Sequence, residues 1–204
     1  MAVLVITGVS GAGKDTMASR IAQIMDTKNI KFSQPMKEMM SYAYGVDISQ
    51  FEDKQKRFEY VPGENFTYSD IMIRCFHTFP NIDSKMMIRK TKEVINNHIN
   101  QTNLVFTDIR NIPEVRVIWE ISKEYPVIHI HINTEKEGLT SDKNLHNVLE
   151  MLGIMDIPRY TFFNKYEGIE AIDSFLDDVL EDYSEVIGDM YYRHFMEDNT
   201  TSGL

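Results

Sequence analysis

The sequence predicts an α/β fold with a mainly parallel sheet, and three observations carry that expectation. Val3 to Thr7 is a continuously apolar, β-branched run leading into the glycine-rich stretch "GVSGAGKDT", Gly8 to Thr16. Apolar runs of strand length alternate with segments of helical periodicity along most of the chain. Between Pro35 and about Asn100 the pattern is helical throughout, which reads as an insertion into the alternating layer.

A strand buried on both faces of a parallel sheet has no polar face, so it reads as an unbroken hydrophobic run, as Val3 to Thr7 does. A helix is expected next, with Met17, Ala18, Ile21, Ala22 and Met25 at spacings of three and four. The short stretch "IKFS" reads as a second strand, followed by a helix opening at Pro35 with Met36, Met39, Met40 and Ala43 on one face and a stop near Gly45. From Val46 to Asn65 the periodicity is weak, and loops or short helices are expected. Two capped helices follow. One begins after Thr67 or Ser69 and runs to about Phe76; the other begins after Asp83 or Ser84, with Met87, Thr91, Val94, Ile95 and Ile99 in register.

"LVFT" is the next expected strand, and Pro113 opens a helix carrying Val115, Ile118, Trp119 and Ile121. "VIHIHI", Val127 to Ile132, is a strong strand, "YTFF" a last one, and Ile172, Leu176, Val179, Leu180, Tyr183 and Ile187 mark a long amphipathic helix. The expected organisation is a core of residues 1–34 and 101–190, a helical insertion of 35–100, a lid at 134–160 and a polar tail at 194–204.

The chain has 204 residues, 43% of them hydrophobic, which suffices for one sizeable core. A formal net charge of −10 opposes binding to nucleic acid or an acidic membrane, so any phosphate ligand must meet a local cluster of basic groups. Cys75 is the single cysteine, which excludes an internal disulfide or a CxxC site and suits a reducing cytoplasm. No stretch reaches the roughly 18 apolar residues a membrane span needs, and the N-terminus lacks the basic region of a leader. A cytoplasmic protein is expected, in the host cytoplasm if the source is viral.

Gly8, Gly13 and Lys14 satisfy GxxxxGK between a strand and a helix. Such a loop uses glycine because successive backbone N–H groups must turn toward phosphate oxygens, and the helix start adds its positive dipole end. Ser10, Gly11, Ala12, Gly13, Lys14, Asp15 and Thr16 are therefore the expected nucleotide contacts, with Lys14 bridging the terminal phosphates. The residue after the lysine usually holds magnesium through a hydroxyl. Here it is Asp15, and the hydroxyl has moved to Thr16.

GK-x-T is the pattern of nucleoside monophosphate kinases, and "GKDT" resembles that of the bacteriophage deoxynucleoside monophosphate kinases. "FSQPMKEMMSYAYG" looks like that family's helix after the second strand, and "LVFTDIRNIPEV" resembles its strand ending in Asp-x-Arg. The likeness is anchored at residues 3–45 and 103–118 and, weakly, at 160–182; the middle of the chain and the stretch from Thr134 to Arg159 match poorly. It implies a five-stranded parallel sheet in the order 2-3-1-4-5, ATP and Mg²⁺ as donor and cofactor, a deoxynucleoside monophosphate as acceptor, and a homodimer, since related enzymes are often dimers. It also implies that Phe32 and Ser33, in the second of those motifs, lie at the acceptor, and that Asn164 lies near the donor's adenine.

Asp108 and Arg110 end a strand, where ligands collect in open α/β sheets. Asp108 suits a magnesium-bound water or a sugar hydroxyl and Arg110 a phosphate, unless the two form a structural pair. Asp15 is read either as a base or magnesium-shell acceptor, through the resemblance, or as a helix first-turn carboxylate that steadies only the helix. Of the insertion's basic residues, Lys37, Arg74, Arg89, Lys90 and Lys92 are candidates to neutralise transferred charge, with Arg89 and Lys92 on one side of a helix. Phe66, Tyr68 and Phe76 offer a stacking face or belong to the core.

His129 and His131 alternate with isoleucines on a strand, so they are expected to pack or hydrogen-bond against a helix rather than bind metal. "FNKYEG" lacks the final Asp of a guanine-reading motif, and Asp108, followed by Ile109, Arg110 and Asn111, does not begin the Asp-x-x-Gly of a GTPase. Two rivals to a deoxynucleotide kinase stay open. One is a kinase of another small acceptor, such as a modified deoxynucleotide or phosphomevalonate; the other is a nucleotide-dependent switch with no acceptor.

Overall fold

The computed structural model describes residues 1–135, 144–182 and 184, except residue 84 and the side chain of residue 80. The expected ends of the final helix at Tyr183 and Ile187, the tail and most of the polar stretch after Glu135 lie outside the described residues.

The elements are β1 (Val3–Gly8), α1 (Lys14–Ile24), β2 (Thr27–Ile30), α2 (Gln34–Tyr44), α3 (Ser49–Glu52), a 3₁₀ turn (Lys56–Phe58), α4 (Tyr68–Asp83), α5 (Met86–His98), β3 (Asn103–Phe106), α6 (Ile112–Ile121), β4 (Val127–Asn133), α7 (Leu145–Gly153) and β5 (Arg159–Phe163). Residues 170–182 form a further helix, α8. The five strands form one sheet in the order β2-β3-β1-β4-β5. β1 pairs in parallel with β3 and with β4, and β4 with β5. The expected α/β fold and strand order are borne out.

The chain divides into two compact units, Met1–Asn29 with the residues from His98 onward, and Ile30–Asn97. In the first, side chains alternate across the sheet. Leu4, Ile6, Ile128, Ile130 and Ile132 pack with Met17, Ala18 and Ile21 of α1 and Ile172, Leu176 and Val179 of α8. Each such burial contributes about 1.5–3 kcal/mol, which is why these two helices cover that face. The helical unit has its own core of Met36, Phe51, Val61, Tyr68, Ile71 and Met72. Tyr68 meets Phe51 edge-on at 5.3 Å, so this aromatic residue belongs to the core, whereas Phe76 is exposed.

Several boundaries differ from the sequence reading. β2 ends at Ile30, so "IKFS" supplies only its last residue; Ser33 and Pro35 instead start α2. The helix expected to end near Phe76 continues to Asp83. Its start is as expected: the Thr67 hydroxyl accepts from the Asp70 N–H at 3.2 Å and Asp70 Oδ2 accepts from the Thr67 N–H at 2.8 Å. On α6, Val117 is buried and Trp119 half exposed, because the Trp119 ring is covered by the Lys123 ammonium, 3.8 Å from its centroid, rather than by the core. Ala22 of α1 is also exposed. Within the stretch expected as a lid, α7 buries Val148 and Leu152 completely and β5 begins at Arg159, and residues 136–143 lie outside the described residues.

Candidate active site at the phosphate loop

β1 ends where its neighbours force a glycine. Gly8 has φ 149°, and a Cβ there would stand 2.6 Å from the Ile132 carbonyl oxygen of β4. The chain then turns, with the Ala12 N–H donating to the Val9 carbonyl at 3.1 Å, and passes through left-handed backbone at Gly11 and Gly13, where φ is 83° and 104°. Gly13 is the N-cap of α1 with no side chain to satisfy the helix's first N–H groups.

Lys14 folds back over this loop. Its Nζ donates to the carbonyls of Gly8 at 2.7 Å and Val9 at 2.8 Å, which holds a positive charge at the loop. Asp15 and Thr16 are exposed in the first turn of α1. Ser10 is half-buried, and Ala12 is buried in the core beneath the loop.

A small open hollow is lined by Thr7, Gly8, Lys14, Thr107, Asp108, Ile109, Arg110 and Leu145. Three sequence-predicted residues, Lys14, Asp108 and Arg110, are thus brought to one place. Asp108 is largely buried and Arg110 exposed. The Thr107 hydroxyl, at the tip of β3, is buried without a hydrogen-bond partner.

Sequence reasoning missed the device that holds this turn. Asn111 Oδ1 accepts from the Glu114 N–H at 3.2 Å; in return Glu114 Oε2 accepts from the Arg110 N–H at 2.6 Å and the Asn111 N–H at 3.3 Å. Glu114 Oε1 accepts from Asn111 Nδ2 at 2.7 Å. This capping box ties the Arg110 backbone to the start of α6. Burial, and then the nearby Asp108 carboxylate, push the Glu114 carboxyl up to about 7 against the pull of those donors. The signal was legible as Asn-x-x-Glu around Pro113.

The two histidines make their hydrogen bonds within the sheet. Both engage Thr7 on the neighbouring strand, at 2.7 Å for His129 Nε2 and 3.0 Å for His131 Nδ1. Burial, followed by the neighbouring His131 and Arg159, lowers His129 to about 4; burial and then Lys14 lower His131.

Asn164 follows β5 and lies against the loop, with its Nδ2 donating to the Ala12 carbonyl at 2.7 Å. The remaining candidates belong to the helical unit. Phe32 and Ser33 are buried. Lys37 Nζ lies 3.8 Å from Glu52 Oε1, the Arg89 guanidinium pairs with Asp83, and Lys90 pairs with Glu93. The Arg74 guanidinium lies 5.2 Å from the Phe66 ring centroid, bringing those two together. No group of three metal-binding His, Cys, Asp or Glu side chains occurs among the described residues, and no helix there is long and apolar enough to cross a membrane.

No protein-family model and no curated protein sequence matches the chain. Among solved structures it is similar to a shikimate kinase from Bacteroides thetaiotaomicron, with 10% identity over 90% of this chain and 98% of that one and a TM-score of 0.44. It is also similar to a thymidylate kinase from Candida albicans, with 13% identity over 89% of this chain and 92% of that one and a TM-score of 0.43. Likenesses at these identities and TM-scores carry no inference about chemistry.

Proposed function

We propose that this chain is an ATP-dependent kinase that moves a γ-phosphoryl group onto a small acceptor, a deoxynucleoside 5′-monophosphate. The observation that supports this reading best is the single hollow that gathers Gly8 and Lys14 of the loop with Asp108 and Arg110 from the turn after β3. Phosphoryl transfer asks mainly for positioning and for positive charge around the transferring group. Lys14 and Arg110 supply two cations at that hollow.

In the proposed step an oxygen of the acceptor's phosphate bonds to the γ-phosphorus while the bond from that phosphorus to the β,γ-bridging oxygen breaks. The products are ADP and the deoxynucleoside diphosphate. The acceptor oxygen is already anionic, so no strong base is required, and Asp15 serves as a shell acceptor or a helix first-turn charge. Ser10, Gly11, Ala12, Gly13 and Thr16 belong to the donor side. Mg²⁺ would offset charge on the phosphates, and the Asp108 carboxylate and Thr16 hydroxyl are the hard oxygen donors that suit it. Phe32, Ser33, Lys37, Phe66, Arg74 and Arg89 are proposed for acceptor recognition, within the helical unit.

ADP release measured with each of the four deoxynucleoside monophosphates, a modified deoxynucleotide and phosphomevalonate tests the reading. Turnover dependent on a deoxynucleoside monophosphate is expected. ATP hydrolysis indifferent to every acceptor would leave a nucleotide switch instead, and activity with phosphomevalonate alone would move the acceptor class.

A further inference from the structure

We infer that Asn164 and Tyr166, which follow β5, are positioning residues that hold the phosphate loop in its working shape by gripping the outward side of its peptide planes. The inference rests on the reading that this loop holds phosphates, and it gives Asn164 a role other than contact with a base.

In a planar trans peptide the C=O and the next residue's N–H point in opposite directions. Asn164 Nδ2 donates to the Ala12 carbonyl at 2.7 Å, which orients the Ala12–Gly13 peptide and turns the Gly13 N–H to the opposite side. The Tyr166 hydroxyl donates to the Gly11 carbonyl at 3.3 Å and so restrains the preceding peptide. That peptide's own N–H is the one donating to Val9 across the loop's turn. Consecutive planes are therefore held from outside by one short segment.

The segment is itself braced. Asn164 Oδ1 accepts from the Tyr166 N–H at 2.8 Å, the Asn164 N–H donates to the Asn133 carbonyl at 2.8 Å, and the Thr134 hydroxyl donates to the Tyr166 hydroxyl at 3.0 Å. Tyr166 has φ 61°, the left-handed conformation at a non-glycine residue, a strained backbone that persists where surrounding contacts over-determine it. The Asn164 amide thus has both ends engaged, one on the loop and one on its own turn. A Cβ on Gly13 would lie only 2.9 Å from Asn164 Nδ2, so the loop's third glycine also makes room for this grip.

The test compares Asn164→Ala and Tyr166→Phe with the full chain by two measurements. The first is amide hydrogen exchange of the free protein: the Ala12 N–H should exchange several-fold faster in either variant, each having lost about one hydrogen bond that holds the turn. Unchanged exchange in both overturns the clamp, whether or not the protein is a kinase. The second is calorimetric binding of ATP, GTP and inorganic tripolyphosphate, all of which should weaken by a similar factor of about ten in the Asn164 variant. Weakened ATP alone would make Asn164 a base contact and overturn the inference. A wild-type chain that binds none of the three defeats the kinase reading, and the exchange data then still decide the clamp. Should Asn164→Ala fail to fold, Tyr166→Phe, which leaves the aromatic ring in place, carries both measurements.

Discussion

Thr7 Oγ1 lies 2.7 Å from Nε2 of His129, on adjacent parallel strands and directly behind the phosphate loop. One hydroxyl serves two imidazoles here, since His131 Nδ1 is 3.0 Å from the same oxygen. His129 Nδ1 is buried with no partner, and an orphaned acceptor is tolerated better than an orphaned N–H donor. The favoured polarity therefore runs from the His129 Nε2–H to Thr7 and from the Thr7 O–H to His131. Thr7→Val keeps the shape and removes the hydroxyl, leaving two ring nitrogens without it. A loss of about 1–3 kcal/mol is expected, read as a lower denaturant midpoint at unchanged slope. A variant as stable as the wild type would show that the hydroxyl is not what satisfies the pair.

Two buried groups give opposite pH slopes. Glu114 sits at about 7 in the fold, raised from 4.5 by burial and then by Asp108. The folded state keeps this proton longer than the unfolded one, so its contribution is greatest below about pH 4.5 and is lost as pH rises to about 7, by roughly 3 kcal/mol. His129 is lowered from 6.5 to about 4, chiefly by burial, so its contribution is present above about pH 6.5 and is lost as pH falls to about 4. Between about 4.5 and 6.5 the two slopes offset each other, and these groups leave the profile nearly flat. Glu114→Gln should unmask the histidine, giving a protein that loses stability on acidification across that window in urea titrations. A Glu114→Gln profile parallel to the wild type would contradict the assignment.

The loop's three glycines should respond to alanine in a set order. At Gly11 the added methyl meets nothing within 4 Å, so Gly11→Ala bears only the left-handed backbone penalty of about 1–2 kcal/mol. Gly13 has the same backbone restriction and the Asn164 amide 2.9 Å from its Cβ, a side chain that can move at the cost of its bond to Ala12. Gly8 faces a backbone carbonyl at 2.6 Å inside the sheet, and that atom has no way to yield. Thermal unfolding should rank the losses Gly8 above Gly13 above Gly11. Equal losses at Gly11 and Gly13 would remove Asn164 from the explanation.

What was legible in the chain was what is local. The run Val3–Thr7, the glycines and the helix periodicity after Lys14 state a strand, a turn and a helix within one short stretch, and strand-tip logic placed Asp108 and Arg110 beside them. The boundary errors came from residues whose local signal is weak. "IKFS" looks extended, yet Ser33 and Pro35 favour a helix start, and Trp119 has helical spacing but covers its ring with Lys123. The ties that shape the loop join residues far apart in the chain: Asn164 and Ala12 are separated by 152 positions, and Thr7 and His129 by 122. No periodicity encodes such pairs, because they depend on which strands become neighbours.

The two cations of the hollow can be separated from their structural surroundings. Arg110 is held through its backbone N–H, which donates to Glu114 at 2.6 Å and survives in Arg110→Ala. Its side chain is exposed, so stability should stay within about 0.5 kcal/mol of the wild type. Turnover should fall by two or more orders of magnitude, because a cationic clamp on phosphoryl charge is worth about 10³ to 10⁵. Lys14→Ala also leaves a folded protein, since Lys14 and Val9 are only partly buried and water can replace the ammonium there. It should abolish transfer. Steady-state rates with unfolding curves on the same preparations decide the matter: a folded Lys14→Ala variant that still transfers phosphoryl groups removes the loop from the chemistry, and an Arg110→Ala variant with unchanged turnover removes the clamp.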